Sequence, residues 1–194
     1  MHLRALVSLA ILLSSSWVGN AIAQSTSKTI PGTSSTETKP TTNNPVQAPG
    51  SADKNFLKQA AIGDAAEIQL GQMAQTKASN PQVKAFGERM VKDHSSNDDL
   101  LKGLAQEQHV ALPTSLDPKH QSLSDALSAK SGTEFDQAYM RAMVEDHMHT
   151  IQMFKREADT SQDASVKSYA QQSLPVLHSH LNQAKQVQSE VSKQ

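Results

Sequence analysis

Met90-Val91-Lys92-Asp93-His94 and Met143-Val144-Glu145-Asp146-His147 are two versions of one pentapeptide, each in the middle of a long segment with helical periodicity. Within each, Met and His are four residues apart and share one face of a helix. That face is the apolar one, so each imidazole must find a polar partner inside the fold. Outward from the first copy, Val83, Gly87, Met90, His94, Leu101 and Leu104 continue one stripe, predicting a helix over about residues 81–108. Outward from the second, Asp136, Met140, Met143, His147, Ile151, Phe154 and Ala158 do the same over about residues 134–158.

Two more long helices flank these. Asp53 can cap a helix running to about residue 78, with an inner stripe of Phe56, Ala60, Gly63, Glu67, Gly71 and Ala74. Small residues around a mid-helix carboxyl either admit a second helix at close range or leave room for something between helices. Ser79-Asn80-Pro81 ends this helix and starts the next, with proline in a first-turn position. The last helix, about residues 163–191, carries Val166, Ala170, Ser173, Leu177, His180, Ala184, Val187 and Val191 on one stripe. Pro175 inside it frees the carbonyl of Gln171, which predicts a kink before His180.

Residues 109–132 form a long connection with a short helix after Asp117-Pro118. Gly132 is expected to end that short helix and Thr133 to cap the next. Antiparallel neighbours need only a handful of residues between them, so this length predicts a crossover that leaves the second and third long helices parallel. The expected fold is therefore all-α, a four-helix bundle with a crossover between its second and third helices. A weak internal echo supports a two-hairpin design: Val83-Lys84-Ala85-Phe86 is matched by Val166-Lys167-Ser168-Tyr169.

The N-terminal quarter reads differently. A basic start at Arg4, an apolar and serine-broken run too short to span a bilayer, and Ala21-Ile22-Ala23 together predict a signal peptide over residues 1–23, leaving Gln24 as the mature N-terminus. Residues 24–52 are rich in Ser, Thr, Pro and Asn and have almost nothing to bury, so a disordered tether is expected there. The bundle then occupies residues 53–192. The expected location is the periplasm or outside the cell, with no transmembrane segment after the signal.

The chain of 194 residues contains no cysteine, which excludes disulfides, a lipid-modified cysteine and thiolate metal or redox sites. Its formal net charge of −1 becomes −2 when the signal takes Arg4 away, and no basic stripe is present. Nucleic acid is thus not an expected partner. Aromatic residues make up only 4% of the chain, and alanine and methionine fill their place, which suits close helix packing. The methionines could suggest copper(I) or an oxidant sink, but Met90, Met140 and Met143 have core spacing and read as gap fillers. No serine lies in a Gly-x-Ser-x-Gly elbow, and no other catalytic motif is present, so a binding or structural protein is expected rather than an enzyme.

Four inward positions on four helices hold ionisable groups: Glu67, His94, His147 and His180. One carboxylate and three imidazoles form a ligand set that suits a transition metal such as zinc, copper or iron. Di-iron bundles offer the natural comparison, with a Glu from each of two helices and a Glu-x-x-His from each of the other two. Here the positions three before His94 and His180 are Val91 and Leu177, so both bridging carboxylates are missing. At most one metal ion fits. The competing expectation is a metal-free polar core in which Glu67 hydrogen-bonds the histidines and sets helix register. His149 and His178 fall off the stripes and are expected in solvent, and Asp93 and Asp146 suit rim positions facing imidazole N–H groups, or plain solvation, better than ligation.

Ala66-Glu67-Ile68-Gln69-Leu70-Gly71, the Met90–His94 pentapeptide, Phe135-Asp136 with Tyr139, the His147 segment, and Leu174-Pro175 followed by His180-Leu181 carry a further likeness. Together they resemble an exported bacterial ferritin-like family of unknown function whose members are often labelled outer-membrane proteins. The resemblance implies a ferritin-like four-helix bundle with Glu67, His94, His147 and His180 at family-typical positions, and it implies no activity. The outer-membrane label conflicts with the helical periodicity, because an outer-membrane span takes a closed barrel of alternating strands. Two functions stay open: a metal-binding protein of the envelope or of stress physiology, and a structural or interaction module docking envelope components or a second copy of itself.

Overall fold

The computed structural model describes residues 49–194; the expected signal peptide, and the tether as far as residue 48, lie outside the described residues. Five helices and no strand are present among them: α1 (Ser51–Lys77), α2 (Pro81–Glu107), α3 (Pro118–Ser128), α4 (Gly132–Thr160) and α5 (Ala164–Val191). The described residues are all-α, as their periodicity requires.

Local chemistry explains most of the boundaries. Asn80, Asp117 and Asp163 each turn a side-chain oxygen onto backbone N–H groups of the first turn that follows, satisfying donors that an α-helix leaves unpaired. Pro81 and Pro118 occupy first-turn positions, where proline's missing N–H costs nothing. Asp53 works from inside α1 rather than before it. The helix starts at Ser51, and the Asp53 carboxylate reaches back to accept from Gly50 N–H at 2.8 Å. A second boundary also differs from expectation. Gly132, with φ +58°, opens α4 after the Ser131 cap instead of closing α3, which ends at Ser128. The chain reverses between the two helices within a few residues, and a left-handed position there needs a residue without a Cβ. α5 runs through Pro175 without interruption.

α1 and α2 form one antiparallel hairpin, α4 and α5 a second. A Cβ on Gly71 would lie 2.7 Å from the Gly87 carbonyl oxygen, and one on Gly87 would lie 2.7 Å from the Ala74 Cβ. The two backbones therefore touch where only glycine fits. Across the hairpins, Asp53 accepts from Ser161 Oγ at one end of α1, and Asp136 accepts from Ser79 and Asn80 N–H at the other. α1 is thus antiparallel to α4. Arg89 reaches Ser179 and Gln183 while Asn97 reaches Tyr169, so α2 is antiparallel to α5. α2 and α4 consequently run parallel, and the connection holding α3 returns along α1, tied by Gln69 to Ser124 and by Lys77 to the Ser128 carbonyl.

Two apolar clusters fill the interior. One gathers Phe56, Leu57, Leu101, Phe154, Val166 and Tyr169, and the other Leu70, Phe86, Met90, Phe135, Tyr139 and Met143. Met90, Met140 and Met143 are wholly buried in the second, as their spacing predicts. Between the clusters, every long helix places an ionisable residue: Glu67, His94, His147 and His180. A fully buried Leu or Phe at such a position contributes roughly 1.5–3 kcal/mol. The molecule gives that up on four helices at one level.

Candidate metal centre

His94 of α2, His147 of α4 and His180 of α5 converge in the polar layer, with relative exposures of 6%, 1% and 1%. Their ring centroids lie 5.9 Å (His94–His147), 5.4 Å (His94–His180) and 5.3 Å (His147–His180) apart. Each offers one nitrogen, and these three nitrogens all lie within 4.8 Å of one another. Four-residue spacing from Met90 and Met143, which anchor the neighbouring apolar cluster, turns the rings of His94 and His147 inward.

Hydrogen bonds fix which nitrogen of each ring carries a proton. His147 Nδ1 is 2.9 Å from the Met143 carbonyl, which can only accept, so Nδ1–H donates and Nε2 keeps a lone pair. His94 Nδ1–H donates to Asp64 Oδ1 at 2.7 Å, leaving Nε2 buried without a partner. His180 Nε2–H donates to Asp93 Oδ2 at 2.9 Å, leaving Nδ1 free. Burial, reinforced by the neighbouring imidazoles, pulls both His147 and His180 down to about 4, so both rings are neutral at pH 7. His147 Nε2 and His180 Nδ1 nevertheless face each other at 3.3 Å. Neither has a proton to give.

Three ring nitrogens therefore point into one small volume, each held there by a partner on the far side of its ring. That is the arrangement that orients histidines toward a metal ion, and the acceptors behind them raise ligand basicity. A polar core built for hydrogen bonding would instead pair donors with acceptors. The residues fit an ion.

Glu67 belongs to the same layer, 3% exposed, but takes a different place. Its Oε1 lies 3.7 Å from His147 Nδ1, the nitrogen that donates to Met143, and Glu67 is absent from the group of mutually close ligand atoms. Burial, with Asp146 and Asp64 nearby, raises its carboxyl well above the usual range. Its Oε2 is buried without a partner.

Residues 36–187 match a family described as a domain of unknown function, DUF4142. The chain belongs to that family. No curated protein matches it. Among solved structures, this DUF4142 chain is similar to a DUF305 fragment from Deinococcus radiodurans, with a TM-score of 0.66 and 11% identity over 73% of this chain and 98% of that one. It is also similar to CopM in its Cu(II)-bound form, with a TM-score of 0.61 and 18% identity over 71% of this chain and 96% of the other. A conserved hypothetical protein from Mycobacterium tuberculosis, rv2844, gives a TM-score of 0.57 and 16% identity over 72% of this chain and 92% of that one. At such identities the likeness establishes the shared fold. These matches agree with the sequence resemblance in its broader form, a bacterial all-helical family of unknown function.

The DUF4142 site has supporting residues that periodicity alone does not single out. Asp64 lies one turn before Glu67 on the same face of α1, and that spacing was the available signal. Its carboxylate accepts from His94 and from Asn97, whose amide also reaches the Tyr169 hydroxyl. Burial raises Asp64, and the hydrogen bonds from His94 and Asn97 oppose the rise. Asp93 occupies the rim position its spacing suggests: hydrogen bonds from His180 and Arg89 outweigh burial and hold it below the usual carboxylate value. Asp146 turns outward to His120 of α3, which pairs with Asp117 as well. Hydrogen bonding to Asp146 raises His120 against the effect of burial. His149 and His178 are exposed, as expected of positions off the stripes.

A cavity of about 1050 Å³ reaches all three histidines from the gap between α2 and α5. Gly63 and Gly103 border it, and a Cβ on either would meet nothing within 4 Å. Small residues thus play both roles on α1: Gly71 admits α2, and Gly63 leaves space.

Proposed function

We propose that this DUF4142 domain binds a single transition-metal ion through His94 Nε2, His147 Nε2 and His180 Nδ1, as an exported ferritin-like bundle of the cell envelope. The observation that carries the reading is the 3.3 Å approach of two unprotonated nitrogens, His147 Nε2 and His180 Nδ1, with His94 Nε2 unpartnered beside them. Lone pairs at that range repel unless a cation lies among them. Three imidazole donors favour copper(II) or zinc over iron, by donor type and by the general order of divalent affinities. CopM, whose fold is similar, is described in Cu(II)-, Cu(I)- and Ag-bound forms, which supports testing copper first. The bridging acids of a di-iron centre are replaced by Val91 and Leu177, so one ion per chain is the expected stoichiometry.

Glu67 acts in this reading behind His147, near the Nδ1 edge, rather than as the fourth ligand that its stripe position suggests. Export rests on the basic start, the apolar run and the Ala21-Ile22-Ala23 pattern. No helix among the described residues is long and apolar enough to cross a membrane.

The test is the metal content of untagged protein after dialysis, followed by calorimetric titration with copper(II) and zinc. One equivalent bound, and lost when His147 is changed to Ala, is the expected result. Absence of both heat and thermal shift with either metal would leave the metal-free polar core as the better account.

A further inference from the structure

The cavity above the three histidines is larger than an ion needs. At about 1050 Å³ it matches the upper range of small-molecule pockets, roughly 300–1,000 Å³. A metal held by three protein nitrogens retains an open position, the pattern of zinc sites that take up exogenous ligands, whereas structural sites close all four. Toward solvent the character of the lining changes. Leu100 on α2 and Val176 on α5 flank the opening, 68% and 45% exposed, and both are among the few large apolar side chains that the described residues leave in water. Leu104, Leu177 and Phe154 continue the apolar wall inward. The pocket is therefore polar and metal-facing at its floor, and at its mouth Leu100 and Val176 form an apolar pair among the exposed polar residues Ser96, Asp99, Glu107 and Gln172.

The charges near the floor are already engaged. Asp64 is bound by His94 and Asn97, Asp93 by His180 and Arg89, and Asp146 by His120 and Lys119. Glu67 keeps one carboxyl oxygen buried there without a partner. An anionic oxygen at the floor would meet a dication and aspartates already engaged by their own partners.

We propose that the cavity binds an amphiphile with a carboxylate head, whose head occupies the open position of the metal and whose hydrocarbon chain lies between α2 and α5 against Leu100, Leu104 and Val176. The proposal rests on the metal reading above, and the experiment separates the two. Full-length mature protein is loaded with copper(II), and acetate, octanoate and azide are titrated while the visible ligand-field band and the electron paramagnetic resonance spectrum are followed. All three ligands shift the spectrum, and octanoate binds roughly 100-fold more tightly than acetate, because each of its six additional methylenes, partly buried, adds about two-fold. Leu100→Ser with Val176→Ser removes most of that chain-length preference and leaves azide and copper affinities unchanged. Gly63→Leu, placed where an added side chain has free space, abolishes octanoate binding with copper retained. Both variants alter positions that are not ligands, and their helical circular dichroism checks the fold.

Equal affinity for acetate and octanoate on copper-loaded protein overturns the amphiphile site and leaves the metal site standing. A loaded protein whose spectrum no anion changes does the same, since it shows a closed coordination sphere. Failure to load copper or zinc at all overturns both readings together.

Discussion

His147 Nε2 stands 3.3 Å from His180 Nδ1, and the opposite nitrogen of each ring already donates a hydrogen bond, His147 Nδ1 to the Met143 carbonyl and His180 Nε2 to Asp93. Two acceptors thus face each other at the centre of a bundle that could have placed leucines there. An ion among them relieves the repulsion, and binding to the folded form alone stabilises it. At a free metal concentration of about 100 times Kd the gain is roughly 2.7 kcal/mol, or a rise of about 5–10 °C in Tm for a domain of this size. Differential scanning fluorimetry with copper(II) or zinc should show that rise in the wild type and lose it in His94→Ala, His147→Ala and His180→Ala. His149→Ala and His178→Ala, both exposed, should keep it.

The acceptors behind the rings make a separate prediction. Removing Asp93 or Asp64 leaves all three ligand nitrogens in place but releases the ring orientation and tautomer of His180 or His94. Asp93→Ala and Asp64→Ala should each weaken metal affinity by about 10- to 100-fold, measured by competition with a chelator of known affinity. Loss as complete as that of a ligand variant would mean that the carboxylate itself binds the ion.

Glu157 offers a pH prediction away from the metal. Burial, then its hydrogen bond to Asp53 and the charge on that group, raise Glu157 from 4.5 to about 7. Its folded value lies above the unfolded one, so the folded state binds more protons between them. The contribution is fully present below about pH 4.5 and is lost as pH rises through about 7. Asp53, lowered against burial by hydrogen bonds from Glu157, Ser161 and Gly50, acts in the opposite sense but only at lower pH. The depressed His147 and His180 pull the other way between pH 5 and about 6.5, so the Glu157 contribution is read from the variant: in urea unfolding of the metal-free protein, Glu157→Gln should shift the stability at pH 8 relative to pH 5 upward by about 1–3 kcal/mol. An unchanged pH slope in Glu157→Gln would remove this group as its source.

The close contact of α1 with α2 predicts a steric cost. A Cβ on Gly71 would lie 2.7 Å from the Gly87 carbonyl oxygen, a backbone atom that cannot rotate away. Gly71→Ala should therefore destabilise the fold by about 1–3 kcal/mol despite alanine's better helix propensity. Gly63→Ala, with open space around the added methyl, should be neutral or stabilising in the same denaturation experiment.

Much of this molecule was legible in its residues one helix at a time. Stripes of Val83, Met90 and His94, or Met140, Met143 and His147, report an inward face because the helical period is a local property of the backbone. The caps at Asn80, Asp117 and Asp163 act within one turn, and the long stretch before Gly132 implied a parallel α2 and α4 through chain length alone. Only the tertiary structure decided the rest. Which nitrogen of each histidine is free depends on Asp64, Asp93 and the Met143 carbonyl, the first and second of which come from other helices. Glu67 shares the level of the histidines, yet helix rotation puts it at the Nδ1 edge of His147, a difference of a few ångströms that a stripe does not record. Small residues on α1 read alike in sequence, and only the distance to α2 made Gly71 a contact and Gly63 the edge of a cavity. Periodicity sets which face of a helix turns inward, whereas the separation and rotation of packed helices arise from all their contacts at once.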